Sequence, residues 1–133
     1  MSSNSPLNWH RRFLANVLPV LCLALAGCGG ERTPVPADPA AAGKAVQALL
    51  DTWKGGGKPE DLARGAPRIL GYDCDWARGA TLVGYEIQPN PQSLGDTTNI
   101  HVQLERLVDK KKIKSRVMFV VTAGDPILVA REN

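Results

Sequence analysis

The densest group of chemically capable side chains in this 133-residue sequence is the run Asp73-Cys74-Asp75. Two carboxylates could contribute to a calcium site, and a thiol could act as a nucleophile. Calcium needs roughly six to eight oxygen ligands, and no EF-hand spacing surrounds the pair. We therefore expect solvated carboxylates, or a cap on the following turn, and a half-buried thiol that two neighbouring carboxylates keep unreactive. We predict no metal site and no cofactor.

A nucleophilic enzyme needs a histidine beside its nucleophile, and the sequence offers His101 as the one histidine outside its first 27 residues. Neither Ser93 nor Ser115 lies in a nucleophile-elbow pattern. His101 falls on the polar face of a predicted strand, so we expect its side chain to be exposed. We predict that the protein is not an enzyme.

The N-terminal segment has the pattern of an export signal. Arg11 and Arg12 precede an uncharged and mostly apolar run over residues 13–27. As a helix this run would span ~22 Å, which is short of a bilayer core about 30 Å thick. A basic start, a short apolar run and small residues at its end are typical of a secretory signal.

The end of that run, Leu25-Ala26-Gly27-Cys28, resembles the lipobox of bacterial lipoproteins. The resemblance implies a diacylglycerol on the sulfur of Cys28 and signal cleavage between Gly27 and Cys28. Two or three acyl chains on one residue would anchor the protein stably. The motif therefore predicts a removed signal peptide over 1–27 and a cell-envelope lipoprotein. Gly29, rather than an aspartate, follows the cysteine, which favours the periplasmic face of the outer membrane over the inner membrane.

Removal of the signal peptide would lower the net charge of the protein. The whole chain has 16 basic and 13 acidic residues. Loss of Arg11 and Arg12 leaves 14 basic residues against 13 acidic ones, a formal net charge of +1. This balance gives no reason to expect a nucleic-acid partner. The arginine pair stands one residue closer to Phe13-Leu14 than in the twin-arginine pattern, which favours the general secretory route.

Composition divides the remaining chain into a tether over residues 28–39, rich in glycine and proline, and one domain over 40–133. Asp38-Pro39 predicts a helix start, and Gly55 to Gly57 predict its end. The apolar residues Val46, Leu49, Leu50 and Trp53 fall on one stripe between these limits. A second, short helix is predicted to begin at Pro59.

After Pro67 the apolar period changes from 3.6 to 2, which predicts strands over 69–73, 81–88, 99–108, 113–122 and 127–131, with a polar loop over 89–98. In the third of these, Ile100 is expected opposite Val121, and Glu105 opposite Arg116. The turn is expected around Lys110-Lys111 or in a loop over 109–112. The basic residues at this hairpin end would be solvated, or would contact anionic headgroups.

We therefore predict an α+β domain in which an N-terminal helix lies across a twisted antiparallel sheet of about four strands. This order of elements resembles the cystatin-like and nuclear-transport-factor-like shape. In such an arrangement the aromatic side chains would meet beneath the helix. They would form the core or line a ligand pocket between helix and sheet. The candidate pocket residues are Trp53, Tyr72, Trp76 and Tyr85.

Trp53 before a glycine run, Asp75-Trp76-Ala77-Arg78-Gly79, and the strand Leu82 to Ile87 together resemble small uncharacterised exported proteins of planctomycete-type bacteria. That resemblance covers residues 45–132 and implies no activity and no site residues. The sequence thus favours a lipid-anchored, non-enzymatic envelope protein that binds a protein partner or serves as an accessory module. A small-ligand binder that uses the helix–sheet pocket is the alternative.

Overall fold

The computed structural model describes residues 34–132. The predicted signal peptide and Cys28, the predicted site of lipid attachment, therefore lie outside the described residues. The helices are α1 (Pro39–Lys54), α2 (Pro59–Ala63) and α3 (Cys74–Ala77). The strands are β1 (Ile69–Tyr72), β2 (Thr81–Ile87), β3 (Gln92–Leu94), β4 (Thr97–Val108), β5 (Lys111–Thr122) and β6 (Ile127–Glu132). None of the helices in residues 34–132 is long and apolar enough to span a membrane.

Helix α1 begins and ends where the sequence predicts. The Asp38 carboxylate accepts hydrogen bonds from the backbone N–H groups of Ala40 and Ala41. This cap satisfies donors that have no partner within the helix. Gly55 follows Lys54 as the C-cap. The predicted apolar stripe is buried, and Val46, Leu49, Leu50 and Trp53 are each at most 3% exposed.

The α+β class is confirmed, but the sheet is larger than predicted and is mixed. Six strands form the order β1-β6-β5-β4-β2, and β3 pairs with the beginning of β4 beside β2. Strands β1 and β6 pair in parallel, whereas the remaining pairs are antiparallel. A prediction of about four antiparallel strands was therefore wrong, and a cystatin-like fold is not confirmed. Alternation along a strand shows which side chains share a face, but not the direction of a neighbouring strand.

Two local features also differ from the sequence prediction. Residues 92–94, assigned to a loop, form the exposed strand β3 because Gly95, at φ +63°, turns the chain back toward β4. In β2 the register shifts between Leu82 and Gly84. Because of this bulge, residues before and after it that differ by an odd number of positions face the same side of the sheet. Leu82 is therefore buried in the core, and Tyr85 and Ile87 pack against the same core.

The β4–β5 hairpin is displaced by two residues from its predicted register. Ile100 pairs with Phe119 rather than with Val121. The turn consists of Asp109 and Lys110, both of which have positive φ, at 49° and 65°. These angles correspond to the two-residue hairpin turn that matches strand twist. A shift of two residues keeps every side chain on its face, so alternation alone is compatible with both registers.

All three helices pack on one face of the sheet, which we call the inner face. The core between α1 and this face contains Ile69, Leu82, Ile100, Val102, Leu104, Phe119, Val121 and Val129. At Gly71 in β1 the helix comes very close, because an added Cβ would lie 2.3 Å from Leu49 Cδ1. The opposite, outer face carries no helix among residues 34–132.

Candidate functional site

Helix α3 carries the predicted chemical group Asp73-Cys74-Asp75 at its first turn. Asp73 is the N-cap, and its carboxylate accepts hydrogen bonds from the backbone N–H groups of Asp75 and Trp76 at 2.8 and 3.0 Å. The cap that the sequence predicts at this turn is therefore confirmed. The alternative expectation, that the carboxylates are solvated, was wrong, since the Asp73 side chain is fully buried and that of Asp75 is 16% exposed.

Two arginines bind these carboxylates from the inner face of the sheet. Arg131 of β6 donates from Nη1 to Asp73 Oδ2 at 3.2 Å and to Asp75 Oδ2 at 2.7 Å. Arg106 of β4 forms an ion pair with the same Asp75 oxygen. Arg106 also donates to the hydroxyl of Ser115 in β5 at 2.6 Å. These contacts join α3 to three strands through one buried ionic cluster.

The two guanidinium groups make the surroundings of Cys74 different from the sequence expectation. The half-buried Cys74 sulfur accepts a hydrogen bond from Arg131 Nη2 at 2.6 Å. Sequence reasoning placed two carboxylates beside the thiol but no cation. The arginine lies 57 residues away along the chain, so its proximity is a product of the fold.

Burial and mutual repulsion determine the electrostatics of the cluster. Burial lowers the pKa of Arg106, and the neighbouring charge of Arg131 lowers it further. The charge of Asp73 acts in the opposite direction. Arg106 Nε is buried without a hydrogen-bond partner among the described residues. Two cations therefore occupy this end of the core because two carboxylates neutralise them.

Three potential ligand atoms of Asp73, Cys74 and Asp75 lie within 4.8 Å of one another, a spacing that could hold a metal ion. The same carboxylates are already bound by two guanidinium groups, which would repel a further cation. The arrangement therefore fits a structural clamp that holds α3 against the sheet better than it fits a metal centre.

Sequence reasoning missed both arginines, although their positions carried a signal. Arg106 continues the inward series Ile100, Val102 and Leu104 by one further step of two residues. Arg131 likewise extends the inner face of β6 beyond Val129. An arginine at an inward position of a strand is unusual unless a carboxylate pairs with it.

Three of the four predicted pocket aromatics belong to the core between α1 and the sheet or pack against it. Trp53 and Trp76 stack with their ring centroids 5.9 Å apart, and Trp53 Nε1 donates to the backbone oxygen of Ala80 at 2.8 Å. Tyr85 packs against the same core and donates from its hydroxyl to Asp51 at 2.6 Å. The structure does not bring Tyr72 to this group. Its side chain is 61% exposed on the outer face, since it alternates with the inward-facing Gly71.

A cavity does lie between helix and sheet, but at the other end of α1. It has a volume of about 230 Å³ and is bordered by the segment that leads into α1, the first turn of the helix, and strands β4 to β6. Its apolar lining includes Val35, Ala41 and Val121, and its polar lining includes Asp38 and Asp96. None of the four predicted pocket aromatics lines it.

The outer face of the sheet carries an apolar patch near the edge formed by β1. Leu70 pairs with Leu128, and Tyr72 pairs with Ala130, so these four residues share one face of the parallel strands. Leu70, Tyr72 and Leu128 are 48%, 61% and 40% exposed. We call these four residues, with the neighbouring Val120 of β5, the outer patch.

The exposed position expected for His101 is confirmed, and it also lies on the outer face. No protein-family model, no curated protein and no solved structure matches this chain. The resemblances to a lipobox and to planctomycete-type exported proteins therefore stay predictions.

Proposed function

We propose that this protein is a lipid-anchored, non-enzymatic component of the bacterial cell envelope whose domain binds a protein partner through the outer patch. The motif ending at Cys28 supports the anchor, with the periplasmic face of the outer membrane as the favoured location. The tether over 28–39 would hold the domain near the membrane. The helix across a curled sheet supports a cystatin-like relationship, with the parallel strand β1 as an addition.

The observation that carries the proposal is the apolar character of a sheet face that no helix of residues 34–132 covers. A sheet with one face in water normally carries polar side chains on that face. Much of the outer face of β4 and β5 follows this rule, with Asn99, His101, Gln103 and Arg116. The outer patch departs from it, and a contiguous exposed apolar area is typical of an interaction surface.

The geometry of the patch suits a protein rather than a small ligand. The patch lies on adjoining strands, so its side chains form a broad surface instead of a cavity. Tyr72, the most exposed large apolar side chain of the patch, has an apolar ring and a hydroxyl, and tyrosine is enriched at protein interfaces. The aligned pairs Leu70–Leu128 and Tyr72–Ala130 hold this surface on a paired backbone, which lowers the entropy cost of binding.

The test is recovery of a partner from detergent-solubilised envelopes by the tagged, full-length chain, followed by mass spectrometry. The double variant Leu128→Gln/Tyr72→Ser makes the patch polar without touching the core. His101→Gln, on the polar part of the same face, is the matched control. We expect one protein at near-equal amount with the wild type and with His101→Gln, and a reduction of about tenfold with the double variant.

Recovery of the same partner by the double variant would overturn the role of the patch, as would failure to recover any partner. Self-association removed by the double variant would instead identify a second copy of the chain as the occupant and also overturn the proposal. Cys28→Ala separates the anchor from the patch. If Cys28 is lipidated, this variant leaves the membrane fraction but still binds the partner when the two are mixed.

A second candidate is a small-ligand binder, which the cavity beside Val35 favours because its volume and apolar lining suit a small apolar molecule. An apolar ligand should then raise the melting temperature of the wild type. It should not raise that of Ala41→Phe, in which the added ring occupies the cavity.

A further inference from the structure

The far end of the β4–β5 hairpin concentrates positive charge on exposed side chains. Five basic residues occur within seven positions, and each is exposed. We call this group the basic tip. Its members are Lys110, Lys111, Lys112, Lys114 and Arg116.

The described structure leaves much of this charge unneutralised. Glu105 forms ion pairs with Lys112 at 3.0 Å and with Lys114 at 3.5 Å. Lys110 and Lys111 have no ion pair with any residue of 34–132. The tip therefore retains a net positive field, which attracts acidic surfaces within about 8–10 Å at physiological salt.

Apolar side chains accompany the charges. Leu107 and Ile113 are 38% and 40% exposed, on opposite faces of the hairpin. Between Arg106 and Phe119 no residue of the hairpin is buried. The end of the hairpin thus exposes an apolar side chain on each of its faces, close to the lysines.

A backbone contact of Ala37 shows which end of the sheet residues 34–38 approach. The backbone N–H of Ala37 donates to the oxygen of Gly95, just before β4, whereas the basic tip follows the end of β4. Strand β4 has 12 residues, which at about 3.3 Å per residue separate the two ends by ~36 Å. Residues 34–38 and the basic tip therefore lie at opposite ends of the sheet.

We infer that the basic tip binds an acidic protein surface, so that the domain contacts a partner at the end remote from its tether. Charge complementarity supports an anionic partner, and the flanking Leu107 and Ile113 suit a surface that mixes carboxylates with apolar side chains. One observation favours a protein over a bilayer: residues 34–38, which follow the predicted lipid-attachment segment, contact the end of the sheet that is distant from the tip.

This inference deepens the proposed partner-binding function by adding a second contact surface, and it rests on that function for its biological meaning. Its test uses the full-length protein in non-ionic detergent micelles and an acidic probe peptide of repeated Glu-Glu-Leu. Amide resonances of residues 109–114 are followed by heteronuclear NMR. A parallel titration uses dihexanoyl-phosphatidylglycerol at the same concentration of negative charge.

We expect the peptide to shift the resonances of the tip more than the lipid does, and we expect about 0.5 M salt to abolish the shifts. Lys110→Glu/Lys111→Glu should weaken peptide binding about tenfold or more. The control Lys44→Glu/Lys58→Glu makes the same change of charge on exposed residues away from the hairpin, and should bind as the wild type does.

A larger response to the lipid than to the peptide would overturn the inference in favour of a membrane contact. Absence of a response to either probe, or equal loss of binding in the control variant, would also overturn it. The variants at the tip leave the outer patch intact. A failed peptide titration is therefore distinguishable from a failure of the partner recovery that tests the proposed function.

Discussion

Arg131 donates a hydrogen bond of 2.7 Å to Asp75, and this contact joins the last strand of the sheet to helix α3 across 56 residues of chain. The Arg131 side chain is 10% exposed and that of Asp75 is 16% exposed. A buried ion pair of this kind contributes little relative to an apolar replacement of both partners, but removal of one partner leaves an uncompensated charge.

We therefore expect Arg131→Met to lower the free energy of unfolding by about 3–5 kcal/mol, because Asp73 and Asp75 lose a shared cation. Urea unfolding followed by tryptophan fluorescence measures this loss. Arg68→Met is the matched control, since Arg68 and Asp125 are 55% and 79% exposed, and an exposed pair contributes about 1 kcal/mol or less. Equal losses in the two variants would contradict a structural role for the buried cluster.

The close approach of α1 to β1 makes Gly71 sensitive to substitution. An added Cβ would lie 2.3 Å from the Cδ1 atom of the fully buried Leu49. We expect Gly71→Ala to lower stability by about 1–3 kcal/mol through overpacking. Gly43→Ala provides the opposite case, because its Cβ meets nothing within 4 Å and alanine favours the helix by about 0.5–1 kcal/mol. Thermal unfolding of both variants would test this difference in sign.

Lys110 occupies a position in the turn of the basic tip where glycine would be more stable. Lys110 has φ +65°, a conformation in which a side chain costs about 1 kcal/mol and glycine costs little. Lys110→Gly creates an Asp-Gly turn and should raise the free energy of unfolding by about that amount. Lys111→Gly, one residue later in β5, should lower it instead. A destabilised Lys110→Gly variant would show that the lysine supports the fold, and would weaken the case for a binding role.

The hydrogen bond from Tyr85 to Asp51 predicts a dependence on alkaline pH. Burial, together with the Asp51 carboxylate, raises the pKa of Tyr85 from 10.0 to about 12. The unfolded chain loses this proton first, so the associated stability is complete below pH 10 and is lost as the pH rises toward about 12. Urea unfolding between these values should show a decline that Tyr85→Phe reduces.

A direct titration checks the same pKa. The chain has two tyrosines, so the variant Tyr72→Phe leaves Tyr85 as the single tyrosinate chromophore. Because its pKa is about 12, less than half of the absorbance change that accompanies tyrosine ionisation should have occurred at about pH 11.5. A transition complete near pH 10.5 would contradict the hydrogen bond to Asp51.

Local patterns in the sequence determined the elements of the domain. A side-chain cap at Asp38 and an apolar stripe through Leu49 specify α1 from neighbouring residues alone. Alternation placed most strands and the inward faces of β4 and β5 correctly. These properties follow from interactions within a few residues, so they need no knowledge of the rest of the fold. The lipid-attachment motif at Cys28 also depends on sequence alone, and stays a prediction.

Contacts between distant segments determined the strand register, the parallel pairing and the ionic cluster. The pairing of Ile100 with Phe119 rather than Val121 was undetermined because a shift of two residues leaves every face unchanged. The parallel pairing of β1 with β6 brings Arg131 to Asp73 and exposes Tyr72 on the outer face. Only the tertiary structure shows that two arginines neutralise the acidic run, because attraction between charges depends on their distance in space and not along the chain.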